Sequence, residues 1–110
     1  MNRKEFMGLC VCPGCVVGQV HLVTNERISE KSDKEILILE HSDPTYSIEL
    51  MRADGVICEN GGRLSHICTV AMEMGIPCIT QVKNITEEVS EGMYVSLDAT
   101  NGKVYIFDEE

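Results

Sequence analysis

The arrangement of apolar residues is most regular in the middle of the chain. A short apolar run, Gly55 to Cys58, leads into a polar turn that contains two glycines. Apolar residues then recur at the spacing of one buried helix face, at Leu64, Ile67, Cys68, Ala71 and Met74. Gly75 is suited to a left-handed C-terminal cap, and Pro77 prevents the helix from continuing. This pattern predicts a strand, a tight loop, a helix over residues 65–74 and a further strand.

Other segments have the patterns that are typical of strands. Residues 15–24 alternate and are rich in β-branched side chains, with Gly18 as a bulge or a close crossing point. Residues 35–40 enclose a fully apolar run that suits a central strand. Residues 93–107 predict a hairpin, because two alternating runs flank the dipeptide Asn101-Gly102.

The connections between these segments indicate how the strands pair. A capping signal at Asp43-Pro44 predicts a short helix from Tyr46 to Ala53. Strand–helix–strand units therefore cover residues 35–59 and 55–80, and such crossovers place the strands they connect in parallel. With 110 residues and 44% apolar content, we expect one α/β domain, residues 1–110, with a single core.

The net charge limits the classes of partner. At −9 it disfavours nucleic acids and anionic membranes. The chain has no run of 18 apolar residues, which argues against a transmembrane helix, and its start lacks the pattern of an export signal. We therefore expect a cytoplasmic protein whose six cysteines are free thiols in a reducing compartment.

Three cysteines near the start of the chain raise the question of a metal site. Cys10, Cys12 and Cys15 form a C-x-C-x2-C pattern, which could supply thiolates to zinc or to an iron–sulfur cluster. No histidine follows at zinc-finger spacing, and the cysteines at positions 58, 68 and 78 occupy apolar positions that suit a small hydrophobic side chain. We therefore expect no bound metal, and a cysteine-based metal protein is the lesser alternative.

One of the three histidines has a setting that suits chemistry. His66 falls in the first turn of the predicted helix, whereas His21 is expected on the polar face of a strand and His41 in a loop. A helix N-terminus attracts phosphate groups and disfavours a charged imidazole, so His66 is suited to accept a phosphoryl group as a neutral nucleophile. Gly61 and Gly62 would let the backbone approach the phosphoryl oxygens closely.

Residues 58–79 resemble the phosphohistidine segment of the phosphoenolpyruvate-utilising enzymes, which include phosphoenolpyruvate synthase, pyruvate phosphate dikinase and enzyme I of the sugar phosphotransferase system. The positions that fall on the family pattern are Gly61, Gly62, Ser65, His66, Val70, Ala71, Glu73, Gly75, Ile76 and Pro77. The resemblance covers nearly the whole chain, strongly over residues 55–107 and more loosely over residues 9–54. It implies a three-layer β/β/α swivelling domain with a mostly parallel central sheet and a C-terminal β-hairpin.

The same resemblance implies roles for residues around the loop. His66 is the residue that is phosphorylated, and Gly61, Gly62, Arg63 and Ser65 surround the phosphate. Arg63 is the only Lys or Arg between positions 53 and 82, so it is the one cationic side chain close in sequence to His66. Met72 stands where the family usually has an arginine, and this departure puts the transfer activity in question.

The chain lacks the parts that would drive phosphoryl transfer. It contains no P-loop, no nucleotide-binding domain of ATP-grasp size and no (β/α)8 barrel for phosphoenolpyruvate. We therefore expect a stand-alone phosphohistidine carrier that binds no cofactor itself and is not a complete enzyme. Its partners would be a separate ATP-grasp-type protein, a phosphoenolpyruvate-binding barrel protein or both, using Mg²⁺ with ATP or phosphoenolpyruvate. The alternative is a non-catalytic interaction or regulatory module that retains the fold.

Overall fold

The computed structural model describes residues 2–22, 34–41, 50, 52–62, 64–90 and 92–108. The strands in these parts of the chain are β1 (Asn2–Met7), β2 (Leu9–Cys12), β3 (Cys15–Leu22), β4 (Glu35–Leu39), β5 (Gly55–Cys58), β6 (Cys78–Thr80), β7 (Tyr94–Asp98) and β8 (Lys103–Asp108). The helices with described bounds are α1 (His66–Met74) and α2 (Ile85–Glu88). A 3-10 turn at Ala99–Asn101 connects β7 to β8.

All of these strands belong to one sheet with the order β1-β8-β7-β3-β4-β5-β6-β2. The centre of the sheet is parallel, because β3 pairs with β4, β4 with β5 and β5 with β6. The outer pairs, including the β7–β8 hairpin, are antiparallel. The predicted parallel centre and the predicted C-terminal hairpin are confirmed, and antiparallel strands flank the centre on both sides.

The sheet closes on itself around an apolar core. β1 and β2 stand at opposite ends of the strand order, although only Gly8 separates them along the chain. The sheet must therefore curl until its two edges meet at Gly8, whose N–H donates to the Gly102 carbonyl at 3.0 Å. The curl supplies the two β layers of the fold. The enclosed core includes Val16, Val20, Ile36, Ile38, Ile57, Ile79, Ile85, Val95, Leu97, Val104 and Ile106.

Helix α1 covers the outer face of the parallel strands and forms the third layer. Its side chains Ile67, Cys68 and Ala71 are buried. They belong to a second apolar cluster that also contains Leu37, Leu39, Val56, Cys58 and Cys78 from the strands beneath. Gly75 ends the helix as predicted, with a left-handed φ of 71° and its N–H directed at the carbonyls of the last turn. The three-layer β/β/α architecture is confirmed.

Two residues of the predicted helix face lie outside the buried face. Leu64 is 88% exposed and Met74 is 44% exposed. Leu64 precedes the first helical residue, so it lies in the turn above the sheet and not on the covered side. Met74 is the last residue of α1, where the helix reaches the edge of the layer. The predicted burial of both side chains was therefore wrong.

The expectations for β3 and for the second helix have different outcomes. His21, expected on the polar face, is 2% exposed, because it pairs in register with Leu37 on the face that carries the second cluster. Gly18 is a close crossing point: a Cβ there would lie 2.7 Å from the Lys34 carbonyl oxygen. The helix predicted from Tyr46 to Ala53 lies mostly outside the described residues, and Leu50 within it is buried.

Replacing Gly8 by alanine is expected to destabilise the fold at the point where the sheet closes. A Cβ at Gly8 would lie 2.5 Å from the Thr80 carbonyl oxygen and 2.6 Å from a methyl group of Val82. Overpacking against backbone typically costs roughly 1–3 kcal/mol, so we expect a loss of that size in the free energy of unfolding. Urea denaturation measures it. Gly62→Ala is the control, because a Cβ at Gly62 meets no atom within 4 Å. Equal stability of the two variants would contradict the described closure.

Candidate functional site

The candidate site is built on the loop that follows β5. The Glu59 N–H donates to the Leu39 carbonyl at 2.9 Å. The backbone and side-chain amides of Asn60 both donate to the Glu40 carbonyl, at 3.0 and 3.1 Å. The loop thus begins at the carboxyl ends of two adjacent parallel strands, β4 and β5. This edge of a parallel sheet is where α/β proteins commonly place ligand sites.

The side chain of Glu59 is held by hydrogen bonds of its own. Its Oε1 accepts hydrogen bonds from the Thr86 N–H at 3.0 Å and from the Thr86 hydroxyl at 2.6 Å. Thr86 lies in α2, so this carboxylate ties the start of the loop to the helix that follows β6. Hydrogen bonds to a charged acceptor are among the stronger ones in proteins, and this pair restrains the position of the loop.

The two glycines of the loop present their backbone to solvent. The Gly61 carbonyl accepts hydrogen bonds from the buried Thr80 hydroxyl at 3.0 Å and from the Gln81 side-chain amide at 3.4 Å. The φ of Gly61 is 122°, a value that residues with a side chain rarely adopt. Gly61 and Gly62 are both exposed, and the space where a Gly62 side chain would extend is empty. The loop is therefore held by hydrogen bonds to the end of β6 and the residue after it, while its two glycines face solvent.

Helix α1 begins directly after this loop. Ser65 is the N-cap residue, with extended backbone (φ −65°, ψ 162°), and its N–H donates to the Gly62 carbonyl at 3.1 Å. The Ser65 side chain makes no hydrogen bond to the helix amides. His66 is the first helical residue and is exposed. The predicted position of His66 in the first turn, at an accessible helix N-terminus, is confirmed.

Four of the five predicted site residues thus lie in one continuous loop–helix junction: Gly61, Gly62, Ser65 and His66. Arg63, the predicted cation, lies outside the described residues. Exposed backbone, the positive end of a helix dipole and an accessible imidazole are together suited to bind an anion beside a nucleophile.

A model of the mobile domain of phosphoenolpyruvate-utilising enzymes matches residues 31–102, which include the whole junction. The chain belongs to this family. The phosphoenolpyruvate synthase of Pyrococcus furiosus is 34% identical over 99 residues, which cover 89% of this chain and 12% of that protein. The mobile domain thus spans a small part of the length of this curated relative.

Two solved structures share the fold. A chain of the Thermococcus kodakaraensis aconitase X crystal structure superposes with a TM-score of 0.71 at 18% identity, covering 96% of the mobile domain and 99% of that chain. A solution structure of Enzyme I gives a TM-score of 0.60 at 25% identity, covering 74% of the mobile domain and 34% of that chain. The first likeness shows the fold alone, and the second agrees with the family that the sequence resemblance indicated.

Beneath the junction lie three cysteines that share the second apolar cluster. Cys58, Cys68 and Cys78 were expected to fill apolar positions, and all three are buried. The influence of the Cys58 and Cys78 thiols lowers the pKa of Cys68. The influence of Cys68, followed by burial, raises the pKa values of Cys58 and Cys78.

The three cysteines near the start of the mobile domain have separate surroundings. Cys10 is half-buried, Cys12 is buried in the second cluster, and Cys15 is exposed. Cys15 donates its thiol hydrogen to Asp98 Oδ1 at 3.4 Å. Among the residues that the structure describes, no group of three or more His, Cys, Asp or Glu side chains has a geometry that could hold a metal ion.

The exposed Cys15 is expected to react slowly with alkylating reagents. Its hydrogen bond to Asp98 raises the pKa of the thiol, so a smaller fraction is thiolate at a given pH. Asp98→Asn removes the negative charge and should shift the pH profile of Cys15 alkylation by iodoacetamide to lower pH. Peptide mapping after timed alkylation measures this shift. An unchanged or upward-shifted profile in Asp98→Asn would contradict the assigned contact.

The other two histidines are placed away from solvent or away from the junction. His21 is buried within β3. His41 is exposed and lies 3.8 Å from the Glu40 carboxylate, measured from its Nε2 atom to Oε2. Its predicted location in a loop after β4 is confirmed. In the described parts of the mobile domain, no helix is long and apolar enough to cross a membrane.

Proposed function

We propose that the domain is a phosphohistidine carrier, in which His66 accepts a phosphoryl group from a donor bound to one partner and delivers it to a second. The observation that carries the proposal is the exposed His66 at the first position of α1, directly after two exposed glycines. The family match over residues 31–102 supports the same assignment. The donor, the acceptor and the partners go beyond what the family alone establishes.

The chemistry proceeds in two balanced half-reactions. An imidazole nitrogen of neutral His66 attacks the donor phosphorus, an N–P bond forms, and the bond to the donor's leaving group breaks with its electron pair. In the second half-reaction the acceptor attacks the same phosphorus and the N–P bond breaks. Charge on the phosphoryl oxygens is stabilised by the helix N-terminus and by the exposed backbone at Gly61 and Gly62.

The partners must supply the remaining positive charge. Phosphoryl transfer depends on metal ions and cationic side chains that neutralise the transferring group. Around the junction the sequence offers only Arg63, and the chain carries a net charge of −9. We therefore propose that an ATP-grasp-type nucleotide-binding protein, a phosphoenolpyruvate-binding barrel protein or both bring Mg²⁺ with ATP or phosphoenolpyruvate to His66.

One observation favours a second candidate, a non-catalytic interaction module. Leu64 is 88% exposed beside His66, and Met72, which replaces the family arginine, is 46% exposed on α1. Both side chains are apolar and exposed on the same loop–helix segment, and exposed apolar surface of this kind is suited to contact a protein partner. A module of this kind would bind its partner through α1 and take up no phosphoryl group.

A donor screen separates these candidates. The protein is mixed with ATP or phosphoenolpyruvate, Mg²⁺ and candidate partner proteins, and its intact mass is recorded at neutral pH. We expect a gain of one phosphoryl group with one donor–partner pair, and no hydrolysis of either donor by the protein alone. Partner binding without any mass gain over the full set of donors would favour the interaction module.

A further inference from the structure

The carbonyl of Gly61 points toward the end of β6. It accepts hydrogen bonds from the Thr80 hydroxyl at 3.0 Å and from the Gln81 side-chain amide at 3.4 Å. Thr80 is the last residue of β6 and is fully buried, whereas Gln81 follows it and is exposed. Two consecutive residues therefore fix the direction of this one carbonyl group.

The direction of the Gly61 carbonyl determines where the Gly62 N–H points. The two groups belong to one planar peptide unit, and the peptide bonds of the described residues are trans. In a trans unit the C=O and the N–H point in opposite directions, so the Gly62 N–H points away from Thr80 and Gln81. It donates to no acceptor within the part of the chain that the structure describes, and Gly62 is exposed. The Gly62 N–H is therefore an available donor on the exposed side of the loop.

The same glycine is held next to the start of α1. The Ser65 N–H donates to the Gly62 carbonyl at 3.1 Å, and Ser65 immediately precedes His66, the first helical residue. An anion that binds at the start of α1 therefore also approaches the Gly62 N–H. A phosphoryl group that is being transferred carries charge on its oxygens, and a backbone amide that is oriented in advance stabilises this charge.

The backbone at Gln81 has an uncommon conformation. Its φ is 60°, in the left-handed region that residues with a side chain rarely adopt. Among the described residues, Asn84 is the one other non-glycine residue with a positive φ, and asparagine tolerates this region well. The turn at Gln81 brings the Val82 N–H within 3.3 Å of the Cys58 carbonyl, where the loop begins. Backbone strain of this kind persists where surrounding contacts enforce it, and it is common at functional sites.

We propose that Thr80 and Gln81 are positioning residues for phosphoryl uptake, which hold the Gly61–Gly62 peptide unit so that the Gly62 N–H donates to a phosphoryl oxygen as the N–P bond forms on His66. This role rests on the proposed carrier function. Neither side chain has to touch the phosphoryl group, because both act through the Gly61 carbonyl. Without them the peptide unit rotates freely between two glycines, and the N–H loses its fixed direction.

Phosphoramidate tests this role without a partner protein. An imidazole nitrogen attacks its phosphorus, an N–P bond forms, and ammonia leaves with the electron pair of the broken P–N bond. Trypsin and a glutamate-specific protease then separate peptide 64–73, which carries His66, from peptide 41–49, which carries His41. Because His41 is also exposed, its labelling is an internal standard. We expect the wild-type protein to label His66 at least about tenfold faster than His41, since one preorganised donor contributes that much or more.

Variants that remove one donor at a time should lower the ratio of His66 to His41 labelling. Thr80→Val and Gln81→Met keep the size of the side chain and remove its hydrogen bond to Gly61. Each should lower the ratio roughly 3- to 10-fold, the effect of one neutral hydrogen bond. The double variant should lower it roughly 10- to 100-fold, because both bonds are then lost. Thr80→Ser keeps the hydroxyl and should retain the wild-type ratio.

Gln19→Met is the matched control for Gln81→Met. The Gln19 side-chain amide also donates to a glycine carbonyl, that of Gly92, at 3.2 Å. Gln19 pairs with Glu35 at the amino end of β4, whereas the junction lies at the carboxyl end of that strand. Gln19→Met should therefore lose stability in urea denaturation and keep the labelling ratio. Gln81→Gly should do the reverse, because glycine adopts a φ of 60° without strain but supplies no amide.

The amide NMR signal of Gly62 tests the contact without any phosphoryl donor. It should shift in Thr80→Val and in Gln81→Met and stay in place in Gln19→Met. An unmoved Gly62 signal in the first two variants, or an unchanged labelling ratio in their double variant, would overturn the positioning role and leave the carrier function intact. A wild-type protein that labels His66 no faster than His41 would instead overturn the carrier function, and the positioning role with it.

Discussion

Replacing His66 by alanine is expected to abolish phosphoryl uptake completely. The imidazole is the nucleophile, and the exposed start of α1 that remains in the variant can bind an anion but has no group to form the N–P bond. The substitution should leave the fold intact, because His66 is exposed and its helix is held to the sheet by Ile67, Cys68 and Ala71. Intact mass after incubation with a donor–partner pair measures the uptake.

His41→Ala is the matched control for this experiment. His41 is an exposed histidine beyond β4, so its removal should leave both the label and the stability unchanged. His21 is less suitable as a control because it is 2% exposed, and its truncation would leave a cavity in the second cluster. Label that persists in His66→Ala at the wild-type level would place the phosphoryl group on another residue and refute the assignment.

Gly61→Ala is expected to lower the rate of phosphoryl uptake on the order of 100-fold. With φ at 122°, an alanine at this position is strained by roughly 1–3 kcal/mol, and the strain is relieved by rotating the backbone. Rotation moves the carbonyl away from Thr80 and Gln81 and displaces the loop backbone beside His66. A displacement of about 1 Å at a reacting centre is enough for a rate loss of this size.

Gly92→Ala separates loop geometry from general strain. Gly92 also has a positive φ, 86°, and open space around its Cβ position, but it lies before β7 and away from the junction. It should therefore lose stability in urea denaturation as Gly61→Ala does, and label at the wild-type rate. Equal labelling rates for the two glycine variants would show that the Gly61 conformation has no part in phosphoryl uptake.

The sequence predicted the fold where a local pattern and a burial requirement agree. The apolar run over residues 35–40 became β4, which is buried at every position, and Gly75 became the left-handed cap of α1. The closure of the sheet at Gly8 has no local pattern, because it depends on strands that are distant in the chain. His21 shows the same limit: its burial follows from the strand beside it and from the cluster around Leu37.

The sequence predicted the reactive residues of the candidate site more fully than the hydrogen bonds that hold them in place. The order of the glycines, Ser65 and His66 along the chain is sufficient to place them at one helix start, and the structure does so. The hydrogen bonds of Glu59 to Thr86 and of Gly61 to Thr80 join segments that are far apart in sequence. The burial of Cys58 and Cys68 in one apolar cluster likewise arises only when α1 packs on the sheet. Short-range patterns carry no information on such contacts.

The central claim is tested most directly by finding which peptide carries the phosphoryl group and whether phosphorus is bonded there to nitrogen or to oxygen. Cleavage after Arg63 and Glu73 isolates residues 64–73, which contain His66 as their only histidine, together with Ser65 and Thr69. The carrier assignment predicts that the labelled protein yields this peptide with one phosphoryl group that is lost in acid and retained in base, as an N–P bond behaves. A phosphoryl group that survives acid on this peptide, or one found on any other peptide, would contradict it.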